Sequence, residues 1–374
     1  MILDIAYFQV PSEAKVDYSV TGTNSFPVIT LKNLFIFPGV PKLLQKCFKA
    51  IRPILYEAHA SKHKASVKEA YIKSTEFVIT EQLNNLVKEY QKDVTFGSYP
   101  SWDNNYYETK LTIEADEEKI VDEVVAKIRS SMDVVELDLF PMADCEAKLQ
   151  KFITDQSKDP AFHEQLKGAQ NVIRECYETY KPEEVAIAFN GGKDCMVMLH
   201  LTFVHRKSRG LMNQKLKALY IRDSDPFPKV EEFISTGAKL YNLDLITIQK
   251  PMKEALTEML KDNPIVKATL MGTRMGDPGS SYQAHFSPTD GDWPKVMRVN
   301  PILNWEYYQV WNFLRGLFLP YPVLYDQGYT SLGGKSNTDP NPNLSYKSDN
   351  GIEKFKPAYE LKDGSQERAG RRKR

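Results

Sequence analysis

Cysteine is scarce in this 374-residue chain: there are four, Cys47, Cys145, Cys176 and Cys195, and no Cys-x-x-Cys spacing. That excludes a disulfide-stapled secreted fold and a cysteine-based zinc site, and it points to a reducing compartment. An excess of either charge is also missing, since 49 Lys and Arg balance 49 Asp and Glu. The chain therefore carries no global field for a polyanion, and no nucleic-acid partner is expected. No apolar run reaches the ~20 residues that span a bilayer, so no membrane partner is expected either. The opening MILDIAYFQVPSEAKVDYSV contains acids and lacks both an arginine-rich amphipathic face and an A-x-A-like cleavage site. Neither a signal nor a transit peptide is expected, and the default location is cytoplasmic. There is no internal repeat and no long low-complexity tract. The length suffices for two domains, each with its own core.

The most informative segment present is 185–201, VAIAFNGGKDCMVMLHL. The apolar run 185–189 suits a strand buried on both faces of a parallel sheet. Asn190-Gly191-Gly192 turns the chain, and two glycines permit positive φ and leave no Cβ to hold an anion away from backbone N–H groups. Lys193 and Asp194 then open an apolar helix, whose unpaired N–H groups and positive dipole end favour an oxyanion. Lys193 adds a cation for phosphate, and Asp194 can orient the amides or help to hold magnesium. The spacing is not that of a Walker A loop. It resembles the shorter loop of the adenine-nucleotide α-hydrolases, the PAPS-reductase-like family, usually spelled Ser-Gly-Gly-Lys-Asp-Ser. Asn190 stands here for the first Ser and Cys195 for the last. That resemblance implies cleavage of ATP between its α and β phosphates.

The rest of the chain predicts an α/β fold: a doubly wound parallel sheet, adenine-nucleotide α-hydrolase-like, with a smaller N-terminal α/β domain. Strands are expected at 185–189, 216–221, 243–248 and 266–271, separated by helices at 229–241 and 253–261, the spacing of right-handed βαβ crossovers. Ligands of such sheets bind beyond the carboxyl ends of the strands. Three polar clusters, 190–194, 222–225 and 272–277, fall at that edge. A helix through Phe162, Leu166, Ala169, Ile173, Cys176 and Tyr180 precedes the motif strand and ends at Pro182. Farther on, Asn304 is expected to cap a helix running to Leu319 and stopped by Pro320. In the N-terminal part, 34–37 reads as a strand halted at 38–41, with a helix from about Lys42. Residues 107–114 alternate as a half-buried strand with 94–98 beside it, and a helix follows over 117–128. The pattern loosens around 133–160. The domains are accordingly placed at 1–135 and 161–374, with a linker over 136–160.

Seven segments in order, AFNGGKDC, LYIRDSDPFP, MGTRMGDP, FSPTDGDWP, RVNPILNW, LPYPVLYDQGYTSLG and NTDPNPNL, resemble the eukaryotic FAD synthetase (FMN adenylyltransferase) family from about Phe162 to the C-terminus. The resemblance implies transfer of AMP from ATP to FMN, giving FAD and pyrophosphate with magnesium. It places Phe189, Asn190, Gly191, Gly192, Lys193 and Asp194 on the ATP phosphates, Asp194 also as the magnesium ligand. Arg222 and Asp223 lie near the adenosine and Arg274 on phosphate. Gly272, Arg274, Asp277, Asp290, Trp293, Arg298 and Trp305 form the FMN side. Asn190, Lys193 and Asp194, together with the C-terminal pair Arg368 and Arg371, are the expected catalytic set. Client apo-flavoproteins are the implied recipients of the product. The phosphate of FMN is already an anionic nucleophile near neutrality, so a site of glycine, lysine, arginine and aspartate suits the chemistry. Residues 31–130 resemble the C-terminal part of the molybdopterin-binding-like domain of animal FAD synthetases, carried by LFIFPGVPKLL and TFGSYPSWDNNYYETKLTIEA. The front of that domain is absent from this sequence, so an incomplete domain without FAD hydrolysis is expected.

Competing readings remain for single residues. Arg274 and Asp277 could simply pair on a loop, Trp293 and Trp305 could be core, and the RRKR end could be a solvated tail. His200 reads as a packed structural histidine, and Cys195 as a filler for the family's Ser although a helix start can lower a thiol pKa. A thiol-dependent PAPS reductase needs a cysteine in its C-terminal tail, and none follows Cys195. A catalytically silent flavin, nucleotide or molybdopterin-related binding module is the remaining alternative.

Overall fold

The computed structural model describes residues 11–18, 27–37, 39–59, 65–102, 104–280, 282–348 and 350–372. The leader reading of the first ten residues, Pro38 of the expected strand stop, and Lys373 and Arg374 of the basic tail lie outside them. Two compact units emerge: Met1–Lys68 with Val87–Phe96 and Ile113–Ala126, and Glu69–Leu86 with Gly97–Thr112 and Lys127–Arg374. Among the described residues no helix is long and apolar enough to cross a membrane.

The first unit carries an antiparallel sheet of Lys15–Asp17, Val28–Leu31 and Leu34–Ile36, and the helix Pro41–His59. Val28, Cys47 and Ile51 form its small core, flanked by Phe35, Phe37 and Leu55. The expected alternating strand is Thr109–Ala115, in which Thr109, Leu111, Ile113 and Ala115 are buried. It belongs to a separate sheet, in which its neighbours are Thr95–Pro100 and Ser66–Ile72, and the helix Glu118–Ser131 follows.

The second unit contains the expected doubly wound sheet. Its strand order is Leu243–Ile248, Leu216–Ile221, Val185–Ala188, Ala268–Leu270, Met297–Val299, Phe286–Pro288. All neighbours are parallel except the last pair. The first three strands are added outward in one direction from Val185–Ala188, and the fourth starts on its other side. The loops that leave Val185–Ala188 and Ala268–Leu270 thus flank the point where the winding reverses, the place such sheets use for ligands. The helices Pro228–Leu240 and Met252–Asp262 are those expected. Pro160–Thr179 starts where Asp159 accepts a hydrogen bond from the Phe162 N–H, and Tyr180 ends it in an extended conformation.

Two local expectations change. The stretch 136–160 holds the helix Cys145–Asp155 and the 3₁₀ turn Gln156–Lys158. Cys145, Leu149, Phe152 and Ile153 are buried in the main core, and Phe152 meets Phe313 edge-on at 5.7 Å. Asp144, before that helix, is left-handed (φ 47°) and makes no side-chain cap, so the usual start signal is missing. The later helix is Tyr307–Gly316, capped by Glu306 and not by Asn304. The Glu306 N–H donates to the Gln309 side-chain oxygen at 2.9 Å and the Gln309 N–H donates to the Glu306 carbonyl at 3.2 Å, which fixes the start of the helix there.

Candidate active site

The turn after Val185–Ala188 is built from backbone geometry. Phe189 is buried and its N–H donates to the Leu219 carbonyl at 2.9 Å, continuing the sheet. Its ring closes on Gly237, so the Phe189 side chain anchors the turn from the core. The Asn190 side-chain oxygen accepts from the Gly192 N–H at 2.9 Å. Gly191 has φ +72°, and a Cβ there would lie 2.8 Å from Ile234; both observations require glycine. Gly192 is then the N-cap of the helix Lys193–Ser208.

Four charged side chains converge at that helix start. Lys193, 1% exposed, donates from Nζ to Asp194 at 2.9 Å and to Glu367. The rings of Tyr307 and Tyr325 lie 5.4 and 5.9 Å from its Nζ. Arg274 donates from Nε to the other Asp194 oxygen at 2.7 Å and from its terminal nitrogen to the other Glu367 oxygen. Burial works against the Lys193 ammonium, but Asp194 and Glu367 outweigh it and hold its pKa above the usual value. Burial likewise opposes the Asp194 carboxylate, and Lys193 and Arg274 reverse the effect. Each ion of this square depends on the others, because a buried charge without a partner costs several kcal/mol. Asp277 accepts from the Arg274 backbone N–H at 2.8 Å, and burial raises its carboxyl above the usual range. A cavity of about 170 Å³ opens between these groups, lined by Gly192, Asp194, Gly272, Asp277, Glu367 and Arg368 among others.

Tyr325 completes the floor. Its hydroxyl accepts from the Lys193 backbone N–H at 3.1 Å, and burial pushes its pKa up to about 12, keeping it neutral. The turn that carries it is braced from behind. Asn105 donates to Asp326 at 2.8 Å, Tyr321 donates to the other Asp326 oxygen at 3.1 Å, and the Tyr106 hydroxyl donates to the Leu319 carbonyl at 2.6 Å. Burial pushes the Asp326 carboxyl up to about 6, against about 3.9 in an unfolded chain. The fold therefore favours its protonated form. Its contribution is most favourable below about pH 4 and declines by roughly 3 kcal/mol as pH rises through about 6. Denaturant midpoints of the wild type and Asp326→Asn, followed from pH 4 to 7, should diverge in favour of the variant over that window. Parallel curves would contradict the assignment.

The remaining expected residues sit as follows. Gly272 packs on the helix start, where a Cβ would lie 2.8 Å from the Asp194 carbonyl carbon and the Cys195 nitrogen. Arg222 is tied to Glu231 at 2.6 Å, and Asp223 stands against Gly334, whose Cβ would lie 2.7 Å from its carboxylate. Arg371 donates to the Ser331 hydroxyl and Leu332 carbonyl, while Arg368 lines the cavity. Asp290, Trp293 and Arg298 lie on the hairpin of Phe286–Pro288 and Met297–Val299, and none of them lines that cavity. Arg298 donates to the Pro288 carbonyl at 2.9 Å, and Asp290 is exposed. Trp305 corrects an expectation: it is 3% exposed, donates to the Gln165 carbonyl and packs on Phe162 and Phe313. It is a core residue and not a flavin wall. His200 is the packed histidine expected, bonded to Tyr241 at 3.1 Å and pushed down to about 3 by burial. Burial pushes the Cys195 thiol up to about 12, so the helix start does not make it a thiolate. Glu367 and Tyr325 carry no role in the sequence reading, although Tyr325 lies in LPYPVLYDQGYTSLG and Glu367 directly precedes Arg368.

Residues 184–340 match the family model described as phosphoadenosine phosphosulfate reductase domain, and residues 64–137 that described as FAD synthase, middle domain. A probable FAD synthase of Schizosaccharomyces pombe is 41% identical over 220 residues, 56% of this chain and 82% of that one. The crystal structure of Candida glabrata FMN adenylyltransferase in complex with FMN and the ATP analog AMPCPP superposes with a TM-score of 0.57 at 26% identity, over 62% of this chain and 95% of that one. A probable FAD synthase of Caenorhabditis elegans shares 35% of its residues over 354 positions, 93% of this chain and 68% of that one. An alignment of that extent reaches well beyond the nucleotide-binding half, and with it the chain belongs to the FAD synthase family.

Proposed function

We infer that this chain joins FMN to the AMP moiety of ATP, releasing pyrophosphate, as the last step of FAD formation. The observation that carries the reading is the pairing of the Asn190–Asp194 turn with Arg274 across the reversal point of the sheet. A terminal phosphate oxygen of FMN attacks the α-phosphorus of ATP. The bond from that phosphorus to the α,β-bridging oxygen breaks, and the electron pair leaves with pyrophosphate. No side chain need act as a nucleophile, which agrees with a thiol held neutral at Cys195. The work of the site is to hold phosphates in line and to stabilise charge on the leaving group.

In this reading the cations of Lys193 and Arg274, at the positive end of the helix Lys193–Ser208, receive the β and γ phosphates. Arg368, at the cavity, meets the same charge from the C-terminal side, and Arg371 holds the Ser331–Leu332 backbone beside it. The flavin enters past Gly272 and Asp277 toward the hairpin that carries Asp290, Trp293 and Arg298. Magnesium fits this donor set only together with nucleotide. Among the described residues no group of three or more His, Cys, Asp or Glu could hold a metal ion, and both Asp194 oxygens are committed to Lys193 and Arg274. Magnesium characteristically takes one or two carboxylates plus substrate phosphates, and Asp194 and Asp277 are the carboxylates that would hold it. Bound there, it supplies charge neutralisation for the departing pyrophosphate.

The test is incubation of the full chain with FMN, ATP and magnesium. FAD and pyrophosphate should appear in equal amounts and in proportion to enzyme. Tight nucleotide binding with no pyrophosphate released would instead mark a silent binding module.

A further inference from the structure

The phosphate subsite carries its own anion. The two oxygens of Glu367 are divided between Lys193 and Arg274, the two buried cations of the cradle. With Asp194 the cluster is two cations against two carboxylates, formally neutral, and a neutral cluster has no net attraction for a polyphosphate. The cavity agrees. At about 170 Å³ it is well below the roughly 300–1,000 Å³ of pockets that enclose drug-sized ligands, and Glu367 is part of its wall. The backbone on either side of this carboxylate is fixed. Thr330 donates to the Glu367 carbonyl at 2.6 Å. Asn341, fully buried, donates to the Gln366 carbonyl at 2.8 Å. The Asp339 N–H donates to the Gly370 carbonyl at 2.9 Å. The main chain at Glu367 is thus held by contacts separate from those of its carboxylate.

We propose that Glu367 is a positioning residue that occupies the polyphosphate subsite as an internal counter-anion, orders Lys193 and Arg274 there, and is exchanged for phosphate when ATP binds. Return of the carboxylate then helps to expel pyrophosphate after transfer. The proposal rests on reading this cleft as a polyphosphate site, and it concerns binding, so it is tested apart from FAD formation.

The experiment is a direct titration of the full chain with inorganic pyrophosphate, without FMN, for the wild type and Glu367→Gln. The variant keeps the shape and removes the competing charge, and its Kd should fall about tenfold, or ~1.4 kcal/mol. In steady state its KM for ATP should fall and product inhibition by pyrophosphate should tighten. A carboxylate with a purely structural role gives the opposite: KM rises along with loss of thermal stability. The same charge change at the exposed carboxylate of Glu360 should leave the Kd unaltered. A Kd for Glu367→Gln that is unchanged or higher overturns the proposal. If that variant does not fold, Glu367→Ala serves, since it removes the carboxylate together with its side chain. Its Kd should also fall, and an unchanged or raised value overturns the proposal equally. Absence of FAD synthesis by the wild type would instead refute the reaction assigned above.

Discussion

Replacing Lys193 by methionine is expected to lower kcat for FAD formation by about 10²–10³-fold, the usual loss on removing one preorganised charge donor. The ammonium sits behind the turn at 1% exposure, where low dielectric makes its charge count for more than on a surface. A second effect accompanies the first. Without Lys193, the carboxylates of Asp194 and Glu367 share Arg274 alone, and breaking a buried ion cluster costs about 3–5 kcal/mol. The variant should therefore melt earlier as well as turn over more slowly. The two effects can be separated in the double variant Lys193→Met with Glu367→Gln, which removes one charge of each sign. It should recover much of the stability and none of the rate, a non-additivity that a double-mutant cycle reads directly. Equal recovery of rate and stability would mean that Lys193 serves the fold alone.

Gly272→Ala should be nearly as damaging with no charge altered. The added Cβ would sit 2.8 Å from the carbonyl carbon of Asp194 and the nitrogen of Cys195, and 3.0 Å from the Asp194 oxygen. All three are backbone atoms at the first turn of a helix, so no side chain can step aside. The helix start and the loop after Ala268–Leu270 must separate, which displaces the cradle from Arg274. A shift of this kind costs on the order of 10²-fold in kcat/KM for ATP and about 1–3 kcal/mol of stability from overpacking. Gly276→Ala, in the same loop, is the control: a Cβ there has nothing within 4 Å, and its kinetics should match the wild type. Comparable losses in both variants would point to loop entropy instead of the close approach at Gly272.

Four strands of the main sheet and the turn were legible in the sequence because their causes are local, whereas Phe286–Pro288 and Met297–Val299, three residues each, were not. An apolar run of four to six residues between polar flanks is a buried strand, and the glycine pair before Lys193 marks a turn, in which Gly191 takes the φ of +72° that glycine favours. Leu216–Ile221 and Leu243–Ile248 fall where expected for that reason. The ion square was only half legible. Lys193, Asp194 and Arg274 belong to recognisable segments, but Glu367 lies 174 positions from Lys193, and which carboxylate closes a cluster is decided by tertiary packing. Trp305 shows the reverse error. An aromatic beside a functional segment looks like a ligand wall, whereas its indole N–H is spent on the Gln165 carbonyl and its faces on Phe162 and Phe313. The helix Cys145–Asp155 escaped notice because Asp144 turns left-handed instead of capping. The Asn105 and Tyr106 brace was invisible for a related reason: its partners, Leu319, Tyr321 and Asp326, are over two hundred positions away.

The central claim is that ATP is cut between its α and β phosphates, with FMN phosphate as the acceptor. Two parallel reactions with FMN, one with ATP labelled in the α-phosphate and one in the γ-phosphate, test it directly. The α label should appear wholly in FAD and the γ label wholly in pyrophosphate. An unlabelled flavin product, or γ label released as orthophosphate, would contradict it.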